Sequence, residues 1–252
     1  MSRFRKHPAD NTVERNYGAW NEYSWPEDGD EWSIDWGSRV AQWYGCLHPR
    51  IADWLPAGSV LEIAPGHGRW SEFLIQASGR YRGVDLAPNC VEFCRKRFAA
   101  AKNAEFFIGD GMSLPMIESG SCDFVFSFDS LVHVGLDILK SYLSEVLRVL
   151  KDGGVAFIHH SNAGEHFAGA GNVPGWRGRD VTAELAAECI EQCGGFVWVQ
   201  EKVNWENSDA LDCFTTFGKR KCGNPARFDN ELFMLEAMLI RTRINRYHTL
   251  EM

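Results

Sequence analysis

Eight cysteines are spread over 252 residues without one C-x-x-C pair, and no cysteine–histidine spacing suits a zinc ion. Neither a disulfide framework nor a zinc module is expected. Cys90 with Cys94, and Cys189 with Cys193, stand one helical turn apart in segments that read as helices, which suits reduced, buried thiols. No secretory leader is read, and no apolar run approaches the length of a membrane span, so a cytoplasmic setting without a membrane partner is expected. Basic residues are also short. The 26 Lys+Arg against 34 Asp+Glu leave a formal net charge of -8, which disfavours a nucleic-acid partner held through its phosphates. Repeats and low-complexity tracts are lacking. What is left fits one elaborated α/β domain, residues 1–252, long enough to bury a substantial core.

Within that domain the organising stretch is Val60 to Trp70, VLEIAPGHGRW. An apolar run closed by Glu62 and Ile63 meets a Gly-x-Gly turn at Gly66 and Gly68, and Arg69 to Ser78 then shows helical spacing. A strand that reverses into a helix beside a ligand needs residues without a Cβ, so that backbone N–H groups can approach closely. Three more strand ends add polar groups. Tyr81 to Asp85 is a second short strand ending in an acid, whose carboxylate can accept two bonds from a ribose diol. AEFFIGD, ending at Asp110, is a third, followed by Gly111 and Met112. CDFVFSFD, Cys122 to Asp129, reads as a buried parallel strand.

From Val60 to His160 the chain resembles the class I S-adenosylmethionine-dependent methyltransferases, in the order of these motifs. The resemblance implies a Rossmann-like, doubly wound α/β sheet of seven strands, mostly parallel with an antiparallel C-terminal strand and helices on both faces. It implies S-adenosylmethionine as cofactor. Glu62, Ala64, Gly66 and Gly68 would surround its methionine part, Asp85 with Leu86 would hold the ribose, Asp110, Gly111 and Met112 would flank the adenine, and Ser127 would close the site. One departure stands out: the family turn usually has glycine where this chain has Ala64, followed by Pro65.

On this reading residues 1–55 form an aromatic-rich cap, 56–222 the core, 161–181 a glycine-rich substrate loop, and 223–252 a closing helix. Six of the ten tryptophans fall in the first 54 residues. Most are expected to pack on the sheet, while Trp20, Trp32 and Trp36 are open to stacking on a ligand. Pro56-Ala57-Gly58 breaks the preceding helix and launches the first strand. Further helices are read over Pro88 to Ala101, Asp137 to Leu150 and Thr182 to Gln192, and strands over Val155 to His159, Phe196 to Trp205 and Asp212 to Gly218. The irregular stretch Ser161 to Asp180 holds five glycines, and its Trp176 and Arg177 are placed to close over a substrate. Phe228 to Tyr247 reads as a helix for packing or for a homodimer face.

For the chemistry, histidine usage discriminates, because an aliphatic hydroxyl needs a base or a metal whereas an amine need only arrive neutral. His133 lies four residues past Asp129 in FDSLVHV; one helical turn there would put both on one face, with His133 as general base and Asp129 orienting it. His159 and His160 end the next strand and point to opposite faces, so at most one meets the substrate; His160 is the second choice of base and His159 a substrate contact. A Mg²⁺ site drawn from Asp129, His133, His160 and Glu165, with Asp129 and His160 foremost, is a minority reading that matches no metal motif. The indoles and acids favour O-methylation of a sugar or glycan hydroxyl, or of another small molecule. Two other classes compete: a nicotinamide-dependent oxidoreductase, disfavoured by Ser71 in the third glycine's place, and a non-catalytic cofactor-binding module, for which His133 and Asp129 would be dispensable.

Overall fold

The computed structural model describes residues 11–167, 173, 176–205 and 209–248, with side chains to 243. The leading part of the N-terminal arm, and Gly169, Gly171 and Gly175 of the expected substrate loop, lie outside these residues. Eight strands form one sheet in the order β3-β2-β1-β4-β5-β7-β6-β8. They are β1 (Ala57–Ile63), β2 (Ser78–Asp85), β3 (Ala104–Ile108), β4 (Cys122–Ser127), β5 (Leu150–Ser161), β6 (Phe196–Val203), β7 (Asp212–Gly218) and β8 (Ala226–Asn230). Every neighbouring pair is parallel except the two that β7 makes, with β5 and with β6. The mostly parallel, doubly wound fold is as expected, with eight strands in place of seven.

The eighth strand corrects the reading of residues 223–252 as helix throughout. Ala226–Asn230 pairs with β6, and the closing helix spans only Phe233–His248. Alternation of Arg227, Phe228 and Asp229 on a strand exposed along nearly its whole length offers no clear strand pattern, and pairing to β6 decides the outcome.

Helices cover both faces. On one, α6 (Leu136–Val149) and α8 (Ala183–Gln192) bury Leu139, Leu143, Val146, Ala186 and Ile190 against Leu61, Val125 and Ala156. The spacing of three and four residues along α6 is what puts these side chains on one stripe. Thr182 caps α8 by accepting the Leu185 N–H. On the other face, α4 (Ser71–Gln76) and α5 (Pro88–Arg97) bury Leu74, Ile75, Val91 and Cys94 beside Val60, Phe124 and Phe126. There they join the segment before β1, which contributes Trp36, Trp43, Leu47 and Ile51. That segment begins with α1 (Val13–Glu22) and a 3-10 turn over Asp30–Trp36, then runs almost without a break from Arg39 to Ile51 through a π-turn at Trp43–Leu47. The later part of this segment is therefore core.

All eight cysteines are free thiols, as expected. Among the described residues no helix is long and apolar enough to cross a membrane.

Candidate active site

Strand order reverses between β1 and β4, and in open α/β sheets ligands bind in the crevice outside the carboxyl ends at such a point. A cavity of about 650 Å³ lies there. Its lower wall is the turn Ala64 to His67 with Val84, Asp85, Leu86 and Gly111, its far wall is Phe128 to Val134, and the cap closes it with Val13, Asn16, Trp20, Tyr23, Trp25 and Trp32.

Backbone conformation explains the turn. Ala64, Gly66 and Gly68 all have positive φ, at 56°, 57° and 82°. A Cβ on Gly66 would stand 2.6 Å from the Trp25 ring, and one on Gly68 would stand 2.5 Å from Phe98. Gly66 therefore serves the cavity wall, whereas Gly68 lets the turn pack on α5. Asp85 fixes the turn from the next strand: its carboxylate accepts the N–H of Gly66 at 2.9 Å and of Ala87 at 2.8 Å. Burial pushes the Asp85 pKa up, against these two bonds. With the Leu86 N–H also bearing on it, the carboxylate keeps acceptor capacity for a ligand hydroxyl.

Glu62 stands behind this wall. It is buried, accepts bonds from Ser71 and Tyr81, and is pushed up to about 7 because desolvation outweighs those bonds. Its role is to tie β1 to α4 and β2. Ser127 likewise donates to the Ile63 carbonyl inside the core. Asp110 turns away from the cavity: its carboxylate accepts the N–H groups of Met112 and Ser113, a local turn that leaves Met112 exposed. Of the residues expected around the cofactor, Ala64, Gly66, Asp85, Leu86 and Gly111 line the cavity, while Glu62, Gly68, Asp110, Met112 and Ser127 do not.

At the end of β4 the expected helical face is absent. Asp129 is left-handed, φ 60°, and a 3-10 turn over Leu131–His133 follows. Among the described residues no hydrogen bond joins Asp129 to His133. The carboxylate accepts from Arg69 at 2.8 Å, and the Asp129 N–H donates to His159 Nδ1 at 3.0 Å. Arg69 also reaches Ser33 of the cap at 3.4 Å. The residue that follows the glycine turn thus clamps the strand end beside it.

His133 Nδ1 lies 3.1 Å from the Trp176 carbonyl, an acceptor only, so Nδ1 carries the hydrogen and Nε2 the lone pair. Burial holds the ring down to about 4, so it is neutral near pH 7. Trp176 stacks on it at 5.2 Å, and Trp20 approaches to the same distance. Next to Trp176, Arg177 lines the cavity and grips Asp212 with two bonds, 2.6 and 2.8 Å, both side chains being buried. Burial works to raise the Asp212 pKa, yet Arg177 and His159 overturn it and hold the carboxyl far below the ordinary range.

His159 and His160 part as the strand alternation requires. His159 packs under the cavity, stacked on Trp205 at 5.2 Å, with Nε2 3.5 Å from Asp212. His160 is wholly buried, with Nδ1 donating to the Ser161 carbonyl and Nε2 accepting from Thr215. Neither nitrogen is left for a substrate or a metal, which removes His160 from the candidate bases. Glu165 pairs with Asn162 and Lys202, and among the described residues no group of three or more metal-ligating side chains gathers. Among the described residues the side chains named for Mg²⁺ do not come together as a site.

Trp32 lines the cavity with Trp20, but Trp36 is fully buried against Trp205 and Phe233, at 5.1 and 5.7 Å, and serves the core. The sequence reading missed Arg69, Tyr23, Trp25, Glu31 and Trp205, all of them in the cavity wall. Only Arg69 carried a signal, in its place directly after the glycine turn.

Comparisons with known proteins agree with the fold. Residues 60–154 match the family model described as a methyltransferase domain, which bears out the resemblance drawn from Val60 to His160. A fatty-acid O-methyltransferase of Mycolicibacterium smegmatis is 34% identical over 101 residues, 38% of this chain and 34% of its own length. The chain thus spans about a third of that relative. Among solved structures, a protein from Pyrococcus horikoshii superposes with a TM-score of 0.60 at 20% identity, over 81% of this chain and 97% of its own. An S-adenosylmethionine-dependent methyltransferase from Clostridium acetobutylicum gives 0.57 at 13% identity, over 70% and 90%. At such identities the likeness is one of fold.

Proposed function

We propose that this chain is an S-adenosylmethionine-dependent methyltransferase that methylates an oxygen of a small-molecule acceptor, a hydroxyl on a sugar or a comparable ring. The observation that carries the reading is one cavity with the glycine turn and Asp85 on one wall and His133, its Nδ1 occupied by the Trp176 carbonyl, on another. Its size lies in the ordinary range for small-molecule and cofactor sites, about 300–1,000 Å³. The methyltransferase-domain match over residues 60–154 supports the cofactor, and the name of the fatty-acid O-methyltransferase relative gives modest support to oxygen as the acceptor atom.

The residues fit the cofactor: Ala64 to His67 offer a backbone-lined turn, Asp85 offers lone pairs to a diol, and Leu86, Gly111 and Val13 make an apolar slot. The cofactor supplies a methyl group on a sulfonium, open to in-line attack by a nucleophile. The chain's own task is to position the acceptor and move one proton. Asp129, locked by Arg69 and by its N–H to His159, can accept a bond from a neighbouring hydroxyl of the acceptor and so aim the reacting one, whose own hydrogen is left to His133. His133 Nε2 takes the proton. A ring held down to about 4 is too weak a base to ionise an alcohol beforehand, so it receives the proton only as the C–O bond forms and the oxygen turns acidic. Trp20, Tyr23, Trp25 and Trp32 cover the cap side of the cavity.

Calorimetric titration with S-adenosylmethionine and S-adenosylhomocysteine, with NAD as control, tests the class: micromolar binding of the sulfur compounds alone is expected, and binding of NAD alone overturns the reading. His133→Ala should then lower turnover by about 10²–10⁴-fold with cofactor affinity unchanged. Equal loss of both would make His133 structural.

A further inference from the structure

His133 closes a short 3-10 turn, Leu131–His133, which by itself is a weak way to hold a ring still. Such turns have poor hydrogen-bond geometry, and their last carbonyls find no partner within the turn. The partners come from outside. The Val132 carbonyl accepts the Gly178 N–H at 2.8 Å. The His133 carbonyl accepts two side-chain amides, Asn11 Nδ2 and Asn16 Nδ2, each at 3.0 Å, which fills both of its lone pairs. Both asparagines belong to the segment before β1, 122 and 117 positions away in the chain.

Asn11 does more than cap the turn. Its amide also donates to the Trp176 carbonyl at 3.3 Å, the same oxygen that accepts His133 Nδ1–H at 3.1 Å. One planar amide thus bridges the backbone of the histidine and the acceptor of its ring, and so sets the distance between them. Which ring nitrogen carries the hydrogen follows from the bond that the other parts of the site offer it, so losing this bridge frees the choice. Asn16 is oriented in its turn. Its Oδ1 accepts Trp20 Nε1 at 3.2 Å, its second N–H goes to the Thr12 carbonyl at 2.9 Å, and the Trp20 ring lies 5.2 Å from the His133 ring. An indole N–H can only donate, so the amide oxygen faces Trp20 and the nitrogen faces His133, with both atoms of this buried side chain satisfied. The Gly135 N–H, donating to the Asn11 carbonyl at 3.1 Å, completes the seam.

We propose, building on the methyltransferase reading, that Asn11 and Asn16 are positioning residues for the base: they hold His133 in the tautomer that keeps its hydrogen on Nδ1 and its lone pair on Nε2. The segment before β1 then supplies the geometry of the base as well as a wall of the cavity. A purely structural seam would fasten the same segment without setting the ring. One stands at the other end of α1 for comparison, where Asn89 Nδ2 donates to the Asn21 carbonyl at 3.1 Å.

The test reads the ring itself. With the histidines labelled in ¹⁵N, long-range ¹H–¹⁵N correlation spectra at pH 7 distinguish the two tautomers, and the signal lost in His133→Gln identifies the residue. The parent should show the Nδ1–H form. Asn11→Ala and Asn16→Ala should each move the tautomer ratio at least about fivefold toward Nε2–H, the weight of one ordinary hydrogen bond, while Asn89→Ala leaves it unchanged. Circular dichroism checks the fold. Asn11→Asp and Asn16→Asp, which keep the shape of the side chain but have no N–H donors, take the place of an alanine variant that does not fold. The proposal is overturned if the parent carries the hydrogen on Nε2, if either asparagine variant leaves the ratio unchanged, or if Asn89→Ala shifts it as much. The spectra need no ligand, so calorimetry with S-adenosylhomocysteine on the same proteins separates the two readings. Failure of the parent to bind it strikes the methyltransferase reading, whereas the spectra alone judge the asparagines.

Discussion

Arg177→Met is the substitution that most directly tests how the site is held. Arg177 and Asp212 are buried to 5% and 0% exposure and joined by two short bonds, so removing the guanidinium strands a carboxylate in the interior. Breaking a buried pair from one side costs about 3–5 kcal/mol. The pH dependence gives the sharper signature. In the parent protein the folded pKa of Asp212 is depressed, so its contribution is full above the unfolded value near 3.9 and fades only as pH falls through the lower folded value. Without Arg177 only His159 still opposes burial and the folded pKa rises, so the variant's deficit is largest near neutrality and shrinks as pH falls and Asp212 takes up a proton. Urea unfolding followed by tryptophan fluorescence at pH 7 and at pH 4.5 reads both curves. Arg177→Met with Asp212→Asn should recover part of the loss, since no buried charge then stands alone. A cost below about 1 kcal/mol, or a deficit independent of pH, would refute the account.

Two further outcomes concern the glycine turn. Gly66→Ala adds a Cβ 2.6 Å from Trp25 at a φ of 57°, so the indole must move, and S-adenosylhomocysteine affinity should fall at least tenfold by calorimetry while the fold survives by circular dichroism. Ala64→Gly acts oppositely. The left-handed backbone at Ala64 costs roughly 1–2 kcal/mol, and glycine removes it while giving back about 0.5–1 kcal/mol of chain entropy, so the melting temperature should hold or rise slightly; a clear drop would mean that the Ala64 methyl packs against something essential.

The strand–turn–helix at Val60, the acid at Asp85 and the buried run of β4 were legible because their signals are local. A glycine without a Cβ and an apolar run of fixed period act through their own few residues. The site beyond them was legible only in part. Asp110 and Asp85 look alike in sequence, both ending a strand, yet Asp110 satisfies itself on the next two N–H groups while Asp85 holds Gly66 across the sheet. His133 and His160, first and second choice of base, both read as lying at the ends of neighbouring strands, and strand pleating together with Thr215, 55 positions away, takes His160 out of reach. Trp36 and Trp32, four apart, differ because a 3-10 turn sends one into the core and the other to the cavity. Long-range partners decided each case, and spacing carries no record of them.

Backbone strain points to the same place. Five non-glycine residues among those described have left-handed φ: Trp25, Asp28, Ala64, Asp129 and Trp176. Three of them line the cavity, Trp176 presses on His133, and Asp28 approaches His67, which lines it too. Each such conformation costs of order 1–3 kcal/mol and survives only where neighbours over-determine it. Here the neighbours are visible: the Trp25 ring lies on His67 at 4.5 Å, Asp129 is held by Arg69 and His159, and Trp176 is fixed next to the Arg177–Asp212 pair. Strain spread at random over the surface would have no such braces. Its concentration around one crevice, with contributions from the cap, the glycine turn, the end of β4 and the loop before α8, is what a site organised in advance of its ligand requires. The sheet contributes the glycine turn and Asp85 to this crevice, and the cap contributes the rings of its opposite wall.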